Sequence, residues 1–137
     1  MLGKILLTID ALGLIFGAPI ADYNHTHIFN PRWPPHAKFH DAQTISISVM
    51  LGIATLYYTW RPSLLTAYST TQRAGDSLAT AAFTGAVYWA GGLLAALFPN
   101  VSGIDPEFGP PGFPQFPIFT AFGCTGIAGW LYEKWAA

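Results

Sequence analysis

The stretch DYNHTHIFNPRWPPHAKFHD, Asp22 to Asp41, decides how the rest of the chain is read. It holds all four histidines (His25, His27, His36 and His40), two of the seven carboxylates (Asp22 and Asp41) and two of the six basic residues (Arg32 and Lys38). Apolar runs lie on either side of it. Ionisable groups gathered between two such runs read as a polar loop joining two lipid-facing helices.

Outward from that loop, the composition agrees. The 137 residues suit one domain, and 52% of them are hydrophobic. Charged residues make up 9%, against about a quarter in soluble domains. A chain so composed is solvated by lipid. Its formal charge of −1 gives no field for nucleic acid. Cys124 is the sole cysteine, which excludes an intrachain disulfide framework, a CxxC redox pair and a thiolate zinc site.

Four segments approach the ~20 apolar residues that a membrane span requires, at about 2–21, 39–60, 76–98 and 116–135. The expected fold is therefore all-α: a single domain, 1–137, forming an integral membrane four-helix bundle. A His-rich loop, 22–38, and a Pro/Gly/Phe-rich loop, 99–115, would lie at the same end. Asp10 interrupts the first run where a signal-peptide core stays uncharged, so that run reads as a retained helix. Four spans place Lys4, Arg61, Arg73 and Lys134 on one side and Arg32 and Lys38 on the other. The excess of positive charge puts both termini in the cytoplasm, in a multi-pass protein of the endoplasmic reticulum if the source is eukaryotic. From Pro99 to Pro117 there are six prolines together with Phe108, Phe113 and Phe116, a segment unable to be continuously helical and suited to a folded lid.

Polar residues also fall inside the spans. A central aspartate costs about 2.5–3.5 kcal/mol in a membrane helix, so Asp10 is expected to face the bundle, protonated or partnered. Gly13 and Gly17 share its face and would permit close helix approach. Ser77, Thr80, Thr84 and Tyr88 form one face of the third helix. His36, His40, Thr44 and Ser48, with Gln43 beside them, form a face of the second, and Thr120 and Cys124 one of the fourth. Either these faces converge on a polar cavity, or they are ordinary hydrogen-bonding glue between helices.

Three readings suit the opening stretch. His36 and His40 at i, i+4 could hold a metal ion with His25 or His27 as third ligand, although the Glu of an HExxH motif is missing. His40 is followed directly by Asp41, with Asp22 and Asp10 as possible second carboxylates, and an imidazole with a buried acid would make an acid/base pair with separated pKa values. The sequons Asn24-His25-Thr26 and Asn100-Val101-Ser102 would serve as glycosylation addresses. Against all three stands a structural role, in which Asn30-Pro31-Arg32-Trp33-Pro34-Pro35 builds a rigid turn at headgroup level.

The run N-x-T-H-I-F-N-P-x-W-P-P-H-A-K-F-H, Asn24 to His40, resembles the signature of a family of small four-span membrane proteins from fungi and bacteria. The resemblance implies four helices and the unity of this stretch, and it carries no assigned activity. At the level of fold, the chain is more distantly similar to sterol-isomerase-like four-span proteins. Those enzymes pair a histidine with two membrane-embedded glutamates, and the first three helices here have none.

The function expected is an acid/base enzyme, an isomerase, cyclase or hydrolase, acting on a small hydrophobic molecule such as a terpenoid, sterol or polyketide. His40 is the expected general acid or base, assisted by His36, His27 and Asp41, with Asp10 as a buried acid. Trp33, Gln43, Ser48, Thr84 and Tyr88 are the expected substrate contacts. No cofactor is expected; a metal, if bound, would take His27, His36 and His40. Membrane lipid is the expected surrounding. The alternatives are a small proton-coupled transporter using Asp10, which would need a homodimer to enclose a pathway, and a non-catalytic lipid-binding subunit.

Overall fold

The computed structural model describes residues 1–136. Four helices carry the fold: α1 (Leu2–Asp22), α2 (Pro35–Leu64), α3 (Thr71–Ala95) and α4 (Phe116–Ala136). A short 3-10 turn, Thr66–Tyr68, links α2 to α3. Among the described residues there is no strand. The second helix starts at Pro35, four residues ahead of the apolar run expected from 39. Pro35 opens it, where a missing N–H leaves no hydrogen bond unmade and a fixed φ suits the first turn.

Each helix packs against its two sequence neighbours around the bundle, α1 also against α4. α1 and α3 touch across the diagonal, whereas α2 and α4 do not. This is an up-down-up-down arrangement. Both chain ends meet at one end of it, where the Met1 amine lies 2.6 Å from Glu133 Oε1. The two long loops meet at the other. Some contacts depend on absent side chains. A Cβ on Gly3 or Gly129 would run into the other's carbonyl oxygen, and one on Gly52 would meet the carbonyl of Ala11. Gly13 makes room for the Phe122 ring, while Gly17 has only Trp89 within van der Waals distance. The expected Gly13/Gly17 pair therefore does not mark the close helix crossing; Gly3, Gly52 and Gly129 do.

The burial pattern is turned inside out along α2. Its buried residues are Ser48, Gly52, Thr55 and Thr59, and its outward face carries Ile47, Met50, Ile53 and Tyr57. The inward hydroxyls are satisfied locally or by neighbouring helices. Ser48 donates to Leu14 O at 2.6 Å, Thr59 to Thr55 O at 2.7 Å, and Thr55 and Thr84 hydroxyls lie 2.9 Å apart. Two of the helices, α1 and α3, are long and apolar enough to cross a membrane.

Candidate functional site

At the loop end the helices splay around a cavity of about 990 Å³. Its walls come from α1 (Gly13, Gly17, Ala21), α2 (Thr44, Ile47, Leu51) and α3 (Val87, Tyr88, Gly92). Trp89, Phe119 and Phe122 close its inner end, with Trp89 stacked on Phe122 at 5.0 Å between ring centres. Phe113 and Gln115 from the Pro-rich loop border the mouth. The lining is mostly apolar, with its ionisable groups at one place.

That place is where α1 ends and α2 begins. Loop 23–34 turns back so that Asp22, His27 and Asp41 present one ligand-type atom each within 4.8 Å of one another. His27 Nε2 is 3.7 Å from Asp22 Oδ1, and both residues line the cavity. Asp41 Oδ2 is buried and has no hydrogen-bond partner. No lysine or arginine pairs with either aspartate among the described residues.

An Asx turn orients the imidazole. Asn24 Oδ1 accepts the Thr26 backbone N–H and lies 2.7 Å from Thr26 Oγ1, while its Nδ2 donates to Ala21 O. An amide oxygen has no proton to give, so the Thr26 hydroxyl donates to Asn24. The same hydroxyl, 2.7 Å from His27 Nδ1, must then accept from Nδ1–H. In neutral His27 the proton therefore sits on Nδ1, and the lone pair of Nε2 faces the carboxylates.

A roof of two stapled loops covers the site. Asn30, wholly buried, donates to Glu107 Oε1 at 2.6 Å and accepts the Arg32 N–H at 2.9 Å. Arg32 forms an ion pair with Glu107, and Trp33 Nε1 donates to Asp105 Oδ2 at 2.7 Å. A second cleft of about 290 Å³ lies under this roof, lined by Thr26, His27, Trp33 and Asp105 among others. His27 borders both spaces.

Asp10 occupies a different position from the one expected of a reacting acid. It is fully buried, and its Oδ1 accepts Trp89 Nε1–H at 2.7 Å. Its other oxygen has no partner and is lodged between Gly85 of α3 and Gly126 of α4, where a Cβ on either would collide with it. Gly13 and Trp89 border the cavity; Asp10 lies behind them.

The expected site residues thus divide. His27 and Asp41 come together with Asp22, one of the two carboxylates expected as a second acid. His36 and His40 pair with each other, Nε2 to Nε2 at 3.1 Å, on an exposed part of α2, and neither lines the cavity. The expected set of His27, His36 and His40 therefore does not assemble. Residues four apart drift by about 40° per step around a helix, so a row that is exposed at His36 is buried by Ser48. Among the expected substrate contacts, Tyr88 lines the cavity. Trp33 lines the outer cleft, Gln43 is exposed beside His40, Ser48 is spent on Leu14, and Thr84 on Thr55. Thr120 and Cys124 face outward and take no part. Trp89, Gly85, Gly126, Asp105 and Glu107 carry the arrangement without having been anticipated in these roles.

Fold and site together define a four-helix bundle with an apolar cavity, a carboxylate–imidazole cluster at its mouth and a stapled roof. The chain belongs to the family of unknown function DUF6640, whose pattern matches residues 6–134. No curated protein and no solved structure matches it.

Proposed function

We propose that the protein is a four-span integral membrane enzyme that isomerises, cyclises or hydrolyses a small hydrophobic molecule by acid/base catalysis. The observation that carries this reading is that Asp22 and His27, with Asp41 gathered beside them, line an otherwise apolar cavity of about 990 Å³. Pockets of this size take drug-sized molecules and fix them with a few polar groups. With Nδ1–H held by Thr26, Nε2 of His27 is free to remove a proton, and the two aspartates stabilise the imidazolium that results. Returning that proton to a different atom of the same molecule completes an isomerisation or a cyclisation.

The four-span reading rests on more than two apolar helices. The hydropathy of α2 is lowered by Ser48, Thr55 and Thr59, and all three point inward. What would meet lipid is Met50, Ile53 and Tyr57 on α2, and Phe116, Ile127 and Trp135 on α4. α1, with 21 residues, is about 31 Å long, matching a hydrocarbon core of about 30 Å. Termini on the cytoplasmic side would put the roof and cavity mouth on the opposite face, and in a eukaryote that face is lumenal.

His27, not His40, is the base in this proposal, and Asp10 supports Trp89 instead of reacting. The test is a product screen. Protein in lipid nanodiscs is incubated with pooled lipid extracts, and the products of wild type, His27→Gln and His40→Gln are compared by mass spectrometry. New isomers or hydrolysis products should arise with wild type and His40→Gln and be missing with His27→Gln. Identical product profiles for wild type and a folded His27→Gln defeat the reading.

A further inference from the structure

The Thr44, Ser102 and Gln115 donors on the cavity lining are spent on backbone carbonyls, which leaves the Tyr88 hydroxyl beside a group of acceptors. In its neutral form His27 brings the lone pair of Nε2, because the single ring proton is held on the Thr26 side. Asp22 on the lining and Asp41 just beside it bring carboxylate oxygens, all three atoms lying within 4.8 Å of one another. Arg32, the nearest cation in the loop, is taken by Glu107. With His27 neutral, Nε2 and Asp22 Oδ1, 3.7 Å apart, are both acceptors, and either a proton on Nε2 or a donor entering between them relieves the pair. The inner end is different: Tyr88, Trp89, Phe119 and Phe122 supply an aromatic wall.

We infer that the cavity's ligand carries a protonated amine, seated among Asp22, His27 and Asp41, on an apolar body that extends to the Trp89–Phe119–Phe122 wall. This rests on the reading of the cavity as the substrate site, and it names the class of molecule. An ammonium group fits on two counts. Its N–H donors can serve three acceptors at once, and its charge offsets the two carboxylates in a partly buried place. An alcohol brings one donor and no charge. A carboxylic acid adds a third negative group. A divalent cation would satisfy the acceptors and leave the apolar cavity beneath them empty. Cationic groups are also attracted to aromatic faces, so the wall does not oppose an amine that sits less deeply.

The test uses a matched set with one C10 isoprenoid body: geranylamine, geraniol and geranic acid. Binding to the full-length protein in nanodiscs is read from tryptophan fluorescence, since Trp89 faces the ligand, with uptake by empty nanodiscs subtracted. The amine should bind at least about tenfold more tightly than the alcohol, and the acid more weakly than either. Asp22→Asn and Asp41→Asn should each weaken the amine by about 10- to 100-fold and shift the alcohol by less than about threefold. Retained alcohol binding shows that those variants are folded. Gly91→Trp, placed at a cavity position with open space around its Cα, should block both ligands.

Equal affinity for amine and alcohol overturns the inference, as does an amine affinity indifferent to both aspartate substitutions. Competition by Zn²⁺ or Mn²⁺ at micromolar concentration, lost in His27→Ala, also overturns it and assigns the cluster to an inorganic cation. The two proposals fail separately. Amine-selective binding without any product in the screen sinks the enzymatic reading alone, and turnover of molecules lacking an amine sinks this one alone.

Discussion

Replacing Gly85 by alanine isolates the seating of Asp10. In a helix interior, Gly→Ala normally stabilises by about 1 kcal/mol, because glycine loses more backbone freedom on folding. Gly75 and Gly91 of the same helix have nothing within 4 Å of an added Cβ, so alanine there should be neutral or stabilising by up to that amount. At Gly85 the methyl would occupy the space of Asp10 Oδ2, with Asp10 Cγ 3.2 Å and Thr55 Cγ2 3.5 Å away. Overpacking of this kind costs about 2 kcal/mol. A carboxyl pushed aside also releases Trp89 Nε1, and an unmet hydrogen bond at a buried site costs about 2 kcal/mol more. Setting the propensity gain of about 1 kcal/mol against these leaves a loss of about 3 kcal/mol. In a chain of this size that corresponds to a fall of about 10 °C in the unfolding midpoint. The assay is thermal unfolding in one detergent, monitored by near-ultraviolet circular dichroism. Asp10→Ala alone should also destabilise, through the orphaned indole N–H. The double variant Asp10→Ala/Gly85→Ala should lose about 2 kcal/mol less than the sum of the singles, because the new methyl fills space the carboxyl has vacated. If Gly85→Ala is as harmless as Gly91→Ala, or the two changes simply add, the collision is not what holds this part of the bundle together.

Further expectations concern the roof, the base and the terminal end. Asn30→Ala, which strips Glu107 of a buried donor, should cost about 1–3 kcal/mol and raise hydrogen exchange in 99–115 more than within α1. Trp33→Phe keeps the ring and removes the 2.7 Å bond to Asp105; the same loop should loosen by a smaller amount, and unchanged exchange would mean the staple does not hold the loop. Thr26→Val deletes the acceptor for His27 Nδ1–H and frees the ring to rotate, so turnover should fall at least about tenfold with the fold intact, whereas Thr44→Val should leave it within about threefold. At the opposite end, the Arg61 guanidinium lies over Tyr58 at 4.5 Å and Tyr68 at 4.2 Å, and its Nε donates to Ser77 at 2.7 Å. Arg61→Lys keeps the charge and loses that planar donor, which should lower the unfolding midpoint by several degrees, about 1 kcal/mol.

What the sequence made legible follows periodicity, and what it hid depends on direction. Runs of apolar residues mark all four helices, and Pro34-Pro35 marks where α2 begins. The gathering of polar groups between Asp22 and Asp41 points to the correct end of the bundle. Spacing at i, i+4 states that His36 and His40 share a face and is silent about where that face looks; it looks outward. The cluster that does assemble joins the last residue of α1, a loop histidine and the first turns of α2, and only the reversal of 23–34 brings them together. One local clue was present: Asn24 and Thr26 flank the turn that fixes the tautomer of His27, and their side chains suit such a turn. The glycines beside Asp10 were invisible for a further reason. Gly85 and Gly126 sit on different helices from Asp10, so their need to lack a side chain exists only once three helices have met.

The same logic accounts for α2, whose weak hydropathy and strong packing look contradictory. A helix averaged over all its residues loses apolar character when its hydroxyls are counted as though they faced outward. Ser48, Thr55 and Thr59 face inward, each bonded to a backbone carbonyl within its own helix or its neighbour. Hydroxyls so satisfied cost little to bury, and their small size lets α1 and α3 approach. The apolar residues left over, Met50, Ile53 and Tyr57, then have no protein to cover them, and in the proposed four-span arrangement lipid would remove the cost of their exposure. The inward hydroxyl row ends at the cavity with Thr44, one turn beyond Ser48, and it is there that polar packing gives way to the cluster at the mouth.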